Sequence, residues 1–257
     1  MKTICIFNQK GGVGKTTTNI NVCSYLAILG YKVLAIDIDP QGNTTSGLGV
    51  DKRKITQSMY EVLCGRASLE KIIIQSQLVD NLYIAPANMD LAGAEIEIMA
   101  IDGREFILHR ELEILNEKFD FVFIDCPPSL GMLTINSLVA SNSVLIPIQA
   151  EYYALEGVAQ LVNTVNLVKR SLNKDLEIEG TIMTMYDSRT NLSNEVYKEV
   201  KGYFGDKLYE ATIPRNIRLA EAPSFGLPIV LYDDKCKGAQ AYESLTNEFL
   251  KKQGVEM

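Results

Sequence analysis

The sequence predicts an α/β fold, one domain with a mostly parallel, twisted sheet and helices on both faces. Three observations carry that expectation. Short apolar runs rich in β-branched residues alternate with longer stretches of helical periodicity, as strands joined by crossover helices do. The first run, Thr3-Ile4-Cys5-Ile6-Phe7, passes directly into a glycine cluster and then into a helical segment, Thr16 to Leu29, with Ile20, Cys23, Leu26 and Ala27 at helical spacing. Two later apolar runs, Val33 to Ile36 and Phe121 to Ile124, end on Asp37 and Asp125. Acids at the carboxyl ends of parallel strands lie on the edge where open α/β sheets bind ligands.

Length and composition agree. The 257 residues are enough to bury a full core, and continuous alternation favours one domain over 1–257 rather than two. Hydrophobic and charged contents of 47% and 22% suit a soluble globular protein. Only Met1 and Lys2 precede the first strand, so neither a signal peptide nor an N-terminal helix-turn-helix domain is expected, and no apolar stretch has bilayer length. Cys5, Cys23, Cys64, Cys126 and Cys236 are scattered, form no C-x-x-C pair and read as reduced core residues of a cytoplasmic protein. With His109 the sole histidine, a zinc site or a Ser-His-Asp triad has little to be built from. Phosphoryl chemistry needs neither.

The glycine cluster reads Gln9-Lys10-Gly11-Gly12-Val13-Gly14-Lys15-Thr16-Thr17. Between a strand and a helix, such a loop turns its backbone N–H groups inward and, with the positive end of the helix, holds phosphate oxygens. Lys15 reaches the β- and γ-phosphates, and the Thr16 hydroxyl serves Mg²⁺. Asp125 is placed to hold Mg²⁺ opposite Thr16, usually through a water. Pro127 and Pro128 then force the chain out of the sheet. The other acidic strand end reads Asp37-Ile38-Asp39-Pro40-Gln41-Gly42-Asn43, where Asp37 is expected to support the metal shell, with capping of the turn as the alternative.

The general loop pattern is G-x-x-x-x-G-K-[ST]. Here its first glycine is replaced and a second lysine, Lys10, enters, giving K-G-G-x-G-K-[ST]. With the D-x-D-P-Q-G-N segment, Gln149 to Gly157, Tyr186 to Asn191 and Ile213 to Ser224, the chain resembles the ParA/MinD group of P-loop ATPases. The likeness to ParA, including its chromosomal Soj branch, runs from Thr3 to about Tyr242.

That resemblance implies ATP and Mg²⁺ as cofactors and a cytoplasmic, nucleoid-associated ATPase. It implies that Lys10 contacts nucleotide held by a partner subunit, so that ATP drives a homodimer. Lys15 and Asp39 are the other implied catalytic residues, Asp39 acting on the attacking water. Pro214 and Asn216 are implied to border the adenine. Arginines matching Arg189 and Arg218 are implied to contact DNA phosphates without sequence preference, and only in the paired state. A ParB-type centromere-binding partner is implied to stimulate hydrolysis. From the residues themselves, Lys198, Lys201 and Arg215 join the basic candidates, with an ordinary solvated face as the competing reading. A net charge of −7 leaves room only for a local basic stripe.

Three other protein classes are built on the same loop. A MinD-like membrane-associated positioning ATPase ends in a basic amphipathic helix. Tyr242 to Lys252 instead carries two acids, so Leu245, Phe249 and Leu250 are expected to pack on the core, with no stable membrane insertion. A nitrogenase-type iron protein needs paired cluster cysteines, and Cys126 has no evident companion. A carboxylating synthetase is not expected to carry the Tyr186 to Asn191 and Pro214 to Ser224 segments.

Ser46 to Arg110 says least. Met59 to Leu63 and Leu69 to Ile74 read as short helices, Leu82 to Ala85 as a strand, and Asn88 to Ala100 and Glu105 to Lys118 as helices. Leu91, Ala94, Ile98 and Met99 form an apolar face, for core packing or for a dimer surface. His109 reads as a solvated residue. Strands over Val144 to Ile148, Ile178 to Met185 and Leu208 to Ile213 complete the expected sheet, with a long helix ending near Ser171 and another facing the core through Val196, Val200, Tyr203 and Phe204.

Overall fold

The computed structural model describes residues 1–115, 118–151 and 154–255. Tyr152 and Tyr153 of the ParA-like segment, and Asn116 and Glu117 of the expected Glu105 to Lys118 helix, lie outside them.

Among the described residues seven strands form one sheet: β1 (Lys2–Ile6), β2 (Val33–Asp37), β3 (Ile74–Gln75), β4 (Leu82–Ala85), β5 (Phe121–Asp125), β6 (Ser143–Gln149) and β7 (Glu177–Thr184). Their order is β3-β4-β2-β5-β1-β6-β7, parallel throughout except for β3, which runs antiparallel to β4. Alternate residues of each strand feed opposite faces. Cys5, Leu34, Ile36, Val122 and Ile124 enter one apolar cluster, and Ile4, Ile6, Val33, Ala35, Phe121 and Phe123 the other. Register sets the functional edge: Ile6 pairs with Asp125, and Asp125 with Asp37. The three central strands therefore end at one level, and the two carboxylates stand side by side there.

Most expected elements form, with four differences. The Leu69 helix stops at Ile72, and Ile74–Gln75 becomes an edge strand, consistent with the poor helix preference of the β-branched run Ile72-Ile73-Ile74. The Asn88 to Ala100 segment is helical only over Leu91–Glu97 and tightens into a 3-10 turn, which buries Leu91, Ala94 and Ile98 but leaves Met99 exposed. In Asn191–Phe204, Val196, Val200 and Phe204 are buried, whereas Tyr203 lies outside the core against the edge of Phe204. Leu208 to Ile213 is not a strand. Tyr209 N and Ile213 N donate to β7 carbonyls, but between them the Glu248 carboxylate takes the Glu210 and Ala211 N–H groups, each at 3.0 Å. Only isolated bridges remain, Thr181 to Leu208 and Tyr186 to Pro214.

The helix Lys237–Lys252 lies on the core as expected, with Leu245, Phe249 and Leu250 buried. Among the described residues, no helix is long and apolar enough to cross a membrane. The Phe249 ring meets Phe121 edge-on at 5.4 Å and Phe123 at 5.6 Å. Phe249→Ala is expected to cost about 3–5 kcal/mol, read as a lower urea midpoint at unchanged slope. A loss below about 1 kcal/mol would contradict this packing.

Candidate active site

β1 delivers the chain to the sheet edge, where Asn8 fixes its exit. The Asn8 amide donates to the Pro147 carbonyl at 2.7 Å, and its Oδ1 accepts from Lys10 N at 3.0 Å. Gly12 and Gly14 then take φ of 75° and 89°, a left-handed backbone that L side chains rarely adopt. Gly14 is the N-cap of the helix Lys15–Ile28, whose first turn has no side-chain cap, so its N–H groups point at the sheet edge unclaimed by a side chain. The loop is pinned from below by Thr184 Oγ1, which donates to the Val13 carbonyl at 2.9 Å. Lys15 is buried, and its ammonium donates to the Lys10 carbonyl at 3.1 Å, so it curls through the loop. Burial lowers its pKa, and the Asp125 carboxylate opposes that shift.

The two strand-end acids differ in what they have left to give. Asp37 is full: Oδ2 accepts from Thr45 N and Thr45 Oγ1, both at 2.7 Å, and Oδ1 accepts from Asp39 N at 3.2 Å. Asp37 thus caps its turn, where the sequence led to the expectation of a support for the metal shell; its oxygens are taken by the turn's own donors. Asp125 Oδ2 accepts from Thr44 Oγ1 at 2.8 Å, but its buried Oδ1 has no partner among the described residues. An unpaired buried carboxylate oxygen is costly, and a hydrated divalent cation satisfies it. The Thr16 hydroxyl acts on the same carboxylate. An orphaned oxygen beside a hydroxyl and an uncapped helix end is a donor set that fits Mg²⁺ on a phosphate. Asp39 lies half-buried at the mouth of the site, its Oδ1 accepting from Gln41 N at 2.9 Å.

Desolvation pushes Asp37 up to about 7, with the Asp125 charge adding to it. Asp125 is pushed up to about 6 by the same burial, against the Thr16 and Thr44 hydroxyls.

A cavity of about 230 Å³ opens beside the loop, lined among others by Gly14, Thr17, Met185, Pro214, Arg215 and Asn216. Met185 adopts φ of 51°, unusual for a residue other than glycine, which ends β7 and turns the chain along the cavity. Pro214 and Asn216 are thus brought to the phosphate loop from far along the chain. Asn216 also caps the helix Ile217–Glu221 by accepting from Arg218 N at 2.8 Å. Arg215 lies on this cavity, in contact with the site rather than on a remote face.

Lys10 does not point into its own loop. Its ammonium is ion-paired with Glu151, beyond the end of β6, and both side chains remain about half exposed. Exposed pairs of this kind are worth roughly 0–1 kcal/mol, so Lys10 leaves Glu151 at little cost.

The basic candidates divide. Arg189 is highly exposed and bound bidentately to Asp187, at 2.9 and 2.7 Å. Arg218 is paired with Glu221 at 2.9 Å and Asp233 at 3.5 Å. The Tyr186 to Pro214 bridge joins the segments that carry these two arginines. Lys198 and Lys201 are exposed on Asn191–Phe204, away from its buried face. His109 is half-exposed beside Glu113 at 3.6 Å, apart from the site.

Asn8, Thr44, Thr45 and Glu151 were not singled out in the sequence. Thr44 and Thr45 directly follow the D-x-D-P-Q-G-N segment, and their adjacency to it was the available signal. Glu151 lies 141 residues from Lys10, so only the fold pairs them.

A parallel sheet whose first strand passes through a two-lysine glycine loop into a helix, with an acid at the end of the adjacent strand, defines a P-loop nucleotide hydrolase. Comparisons with known proteins specify it further. The AAA domain family model matches residues 1–178. The chain is 55% identical to the sporulation initiation inhibitor protein Soj of Bacillus subtilis, covering 96% of this chain and 97% of that protein. It is 50% identical to the chromosome partitioning protein ParA of Myxococcus xanthus, covering 98% and 88%. Among solved structures, cobyrinic acid a,c-diamide synthase from Mycobacterium smegmatis with bound ATP analogue and magnesium superposes with a TM-score of 0.85 at 37% identity, over 100% and 98% of the two chains. The chain belongs to the ParA/Soj family of P-loop ATPases.

The paired acids make a pH prediction. Their folded pKa values lie above the ordinary carboxyl value near about 4. The metal-free folded chain therefore holds more protons than the unfolded chain between about pH 4 and 7. By linkage these groups favour folding fully below about pH 4, and that contribution is lost as pH rises through about 6 and about 7. Asp125→Asn is expected to flatten the fall in metal-free melting temperature over that window. Identical pH slopes for the two proteins would contradict the coupling.

Proposed function

We propose that this chain is a partitioning ATPase that binds ATP with Mg²⁺, pairs with a second copy, and in that state binds duplex DNA without reading its sequence. The observation that carries the reading is the unpartnered, buried Oδ1 of Asp125 beside the uncapped helix end that follows the phosphate loop. The relatives named above and the nucleotide- and magnesium-bound synthase support it.

The backbone N–H groups from Gly11 to Thr17 hold the phosphates, and Pro214 and Asn216 border the base. Thr16 and Asp125 would hold magnesium, which when bound neutralises charge on the β- and γ-phosphates. Lys15 turns from the Lys10 carbonyl to the γ-phosphate. Lys10 exchanges Glu151 for the phosphates held by the second copy, so pairing depends on nucleotide. Asp39 orients a water for in-line attack, and Asp37 with Thr45 fixes the turn that carries Asp39. Loss of the γ-phosphate removes what orders the segments after β2 and β5, and the pair separates.

Arg189 and Arg218, with Lys198, Lys201 and Arg215 around them, supply the DNA stripe. Their present partners are surface carboxylates, which a polyanion displaces at little cost. Pairing doubles the number of phosphate contacts, so affinity rises steeply and falls with salt. A ParB-type centromere-binding protein is the proposed stimulator of hydrolysis, and nucleoid association follows from the DNA contact. The chain is not proposed to lie on membranes, because the apolar side chains of its last helix are already buried in the core.

Asp39→Ala is expected to keep ATP binding, lower turnover about 100-fold and elute as a dimer in ATP. Adding Arg189→Glu to that variant is expected to leave the dimer intact and weaken duplex binding about tenfold. A monomeric Asp39→Ala in ATP, or unchanged DNA affinity on adding Arg189→Glu, would contradict the assigned roles.

A further inference from the structure

Cys5 and Cys126 have a relationship that the nucleotide chemistry does not use. Their sulfurs are 3.1 Å apart, closer than non-bonded sulfurs ordinarily approach, and both residues are buried at 0% and 1% exposure. The sheet register explains the contact. Cys5 of β1 pairs with Ile124 of β5, so Cys126 lies two residues beyond that partner and on the same face. Both enter the same apolar cluster, with Phe7, Ile36 and Ile124. Among the described residues this is the one sulfur–sulfur contact; Cys23, Cys64 and Cys236 have none.

The position matters as much as the distance. Cys126 directly follows Asp125, and Cys5 lies three residues before Asn8, the residue that fixes the loop's exit. The two thiols therefore bridge the strand that ends in the phosphate loop and the strand that ends in the proposed metal carboxylate.

We propose that Cys5 and Cys126 are an oxidisable pair, and that their disulfide reversibly disables the nucleotide site. The oxidant is hydrogen peroxide. One sulfur attacks a peroxide oxygen, the O–O bond breaks, and a sulfenic acid and one water form. The second sulfur then attacks the sulfenic sulfur, the S–O bond breaks, and the departing hydroxide takes the second thiol proton as water. Two thiols lose two electrons in total, and the peroxide gains them. Disulfides in reducing compartments are usually transient and redox-sensing, which suits a reversible bond at this place.

A bond between the sulfurs ties the residue after Asp125 covalently to β1. That constraint falls on the carboxylate proposed to share an ion with Thr16, and through it the disulfide acts on the nucleotide site. The disulfide itself is independent of the function proposed above; its effect on nucleotide binding rests on that reading.

The test treats the full chain with graded hydrogen peroxide, blocks free thiols with N-ethylmaleimide and maps peptides without reduction. In parallel, equilibrium binding of a fluorescent ATP analogue with Mg²⁺ is measured before oxidation, after it, and after dithiothreitol. The expected result is a linked Cys5–Cys126 peptide, nucleotide affinity lowered at least about tenfold, and recovery on reduction. Cys5→Ala, given the same treatment, is expected to keep its affinity. Should that variant fold poorly, recovery by dithiothreitol in the unsubstituted chain reads the same point. Cys5 and Cys126 both recovered as maleimide adducts, at a peroxide dose that oxidises Cys64 and Cys236, would overturn the pair. A linked peptide with unchanged nucleotide affinity would overturn its control of the site. Failure of the untreated chain to bind the analogue would instead overturn the nucleotide reading and leave the disulfide standing.

Discussion

A carboxylate held at the end of a central strand, with one oxygen satisfied and one left open, is the constraint on which this structure turns. Asp125 is buried, and among the described residues a hydroxyl is hydrogen-bonded to one of its oxygens while the other has no partner. Such a group is unfavourable in the empty protein and favourable once a cation is nearby. The surrounding features serve that asymmetry. The register aligns β1, β2 and β5 so that Asp37, Asp125 and the exit of the phosphate loop share one level. Asp37 spends both its oxygens on the turn that carries Asp39, while Asp125 keeps one oxygen without a partner among the described residues, which is what the proposed magnesium site uses.

The same design explains why the chain's charges are held so loosely elsewhere. Lys10, Arg189 and Arg218 each rest on a partly exposed acid of their own chain. Pairs like these add little stability, and a phosphate replaces either kind of carboxylate readily. They keep the basic side chains ordered in a chain of net charge −7 without committing them. These cations lie in two places: one lysine beside the phosphate loop, and two arginines on segments that the Tyr186 to Pro214 bridge joins.

Much of this was legible in the sequence, for local reasons. The glycine loop, the acid-ended strands and the helix after the loop are specified by neighbours in the chain, and they form where the pattern places them. What was illegible depends on distant partners. Leu208 to Ile213 has strand composition, yet Glu248 takes its backbone donors and the ladder is broken. Met99 fits the apolar period of its segment, but the helix tightens after Glu97 and turns it outward. The Glu151 partner of Lys10 comes from beyond another strand, so no local spacing announces it, and the Thr44 partner of Asp125 lies in the helix Asn43–Gly47, where only its adjacency to the acidic segment hints at a role. Asp37 could be assigned only when its three donors were seen. The helix Lys237–Lys252 shows the opposite case, where three apolar residues at helical spacing sufficed to place it on the core.

The central claim is that nucleotide state controls a sequence-blind contact with DNA. It is tested most directly by titrating the protein onto duplexes of unrelated sequence, with ATP·Mg²⁺ and with ADP·Mg²⁺, at two salt concentrations. The account predicts binding in ATP alone, equal across sequences and weaker at higher salt. Binding that ignores the nucleotide, or absence of binding in both, would contradict it.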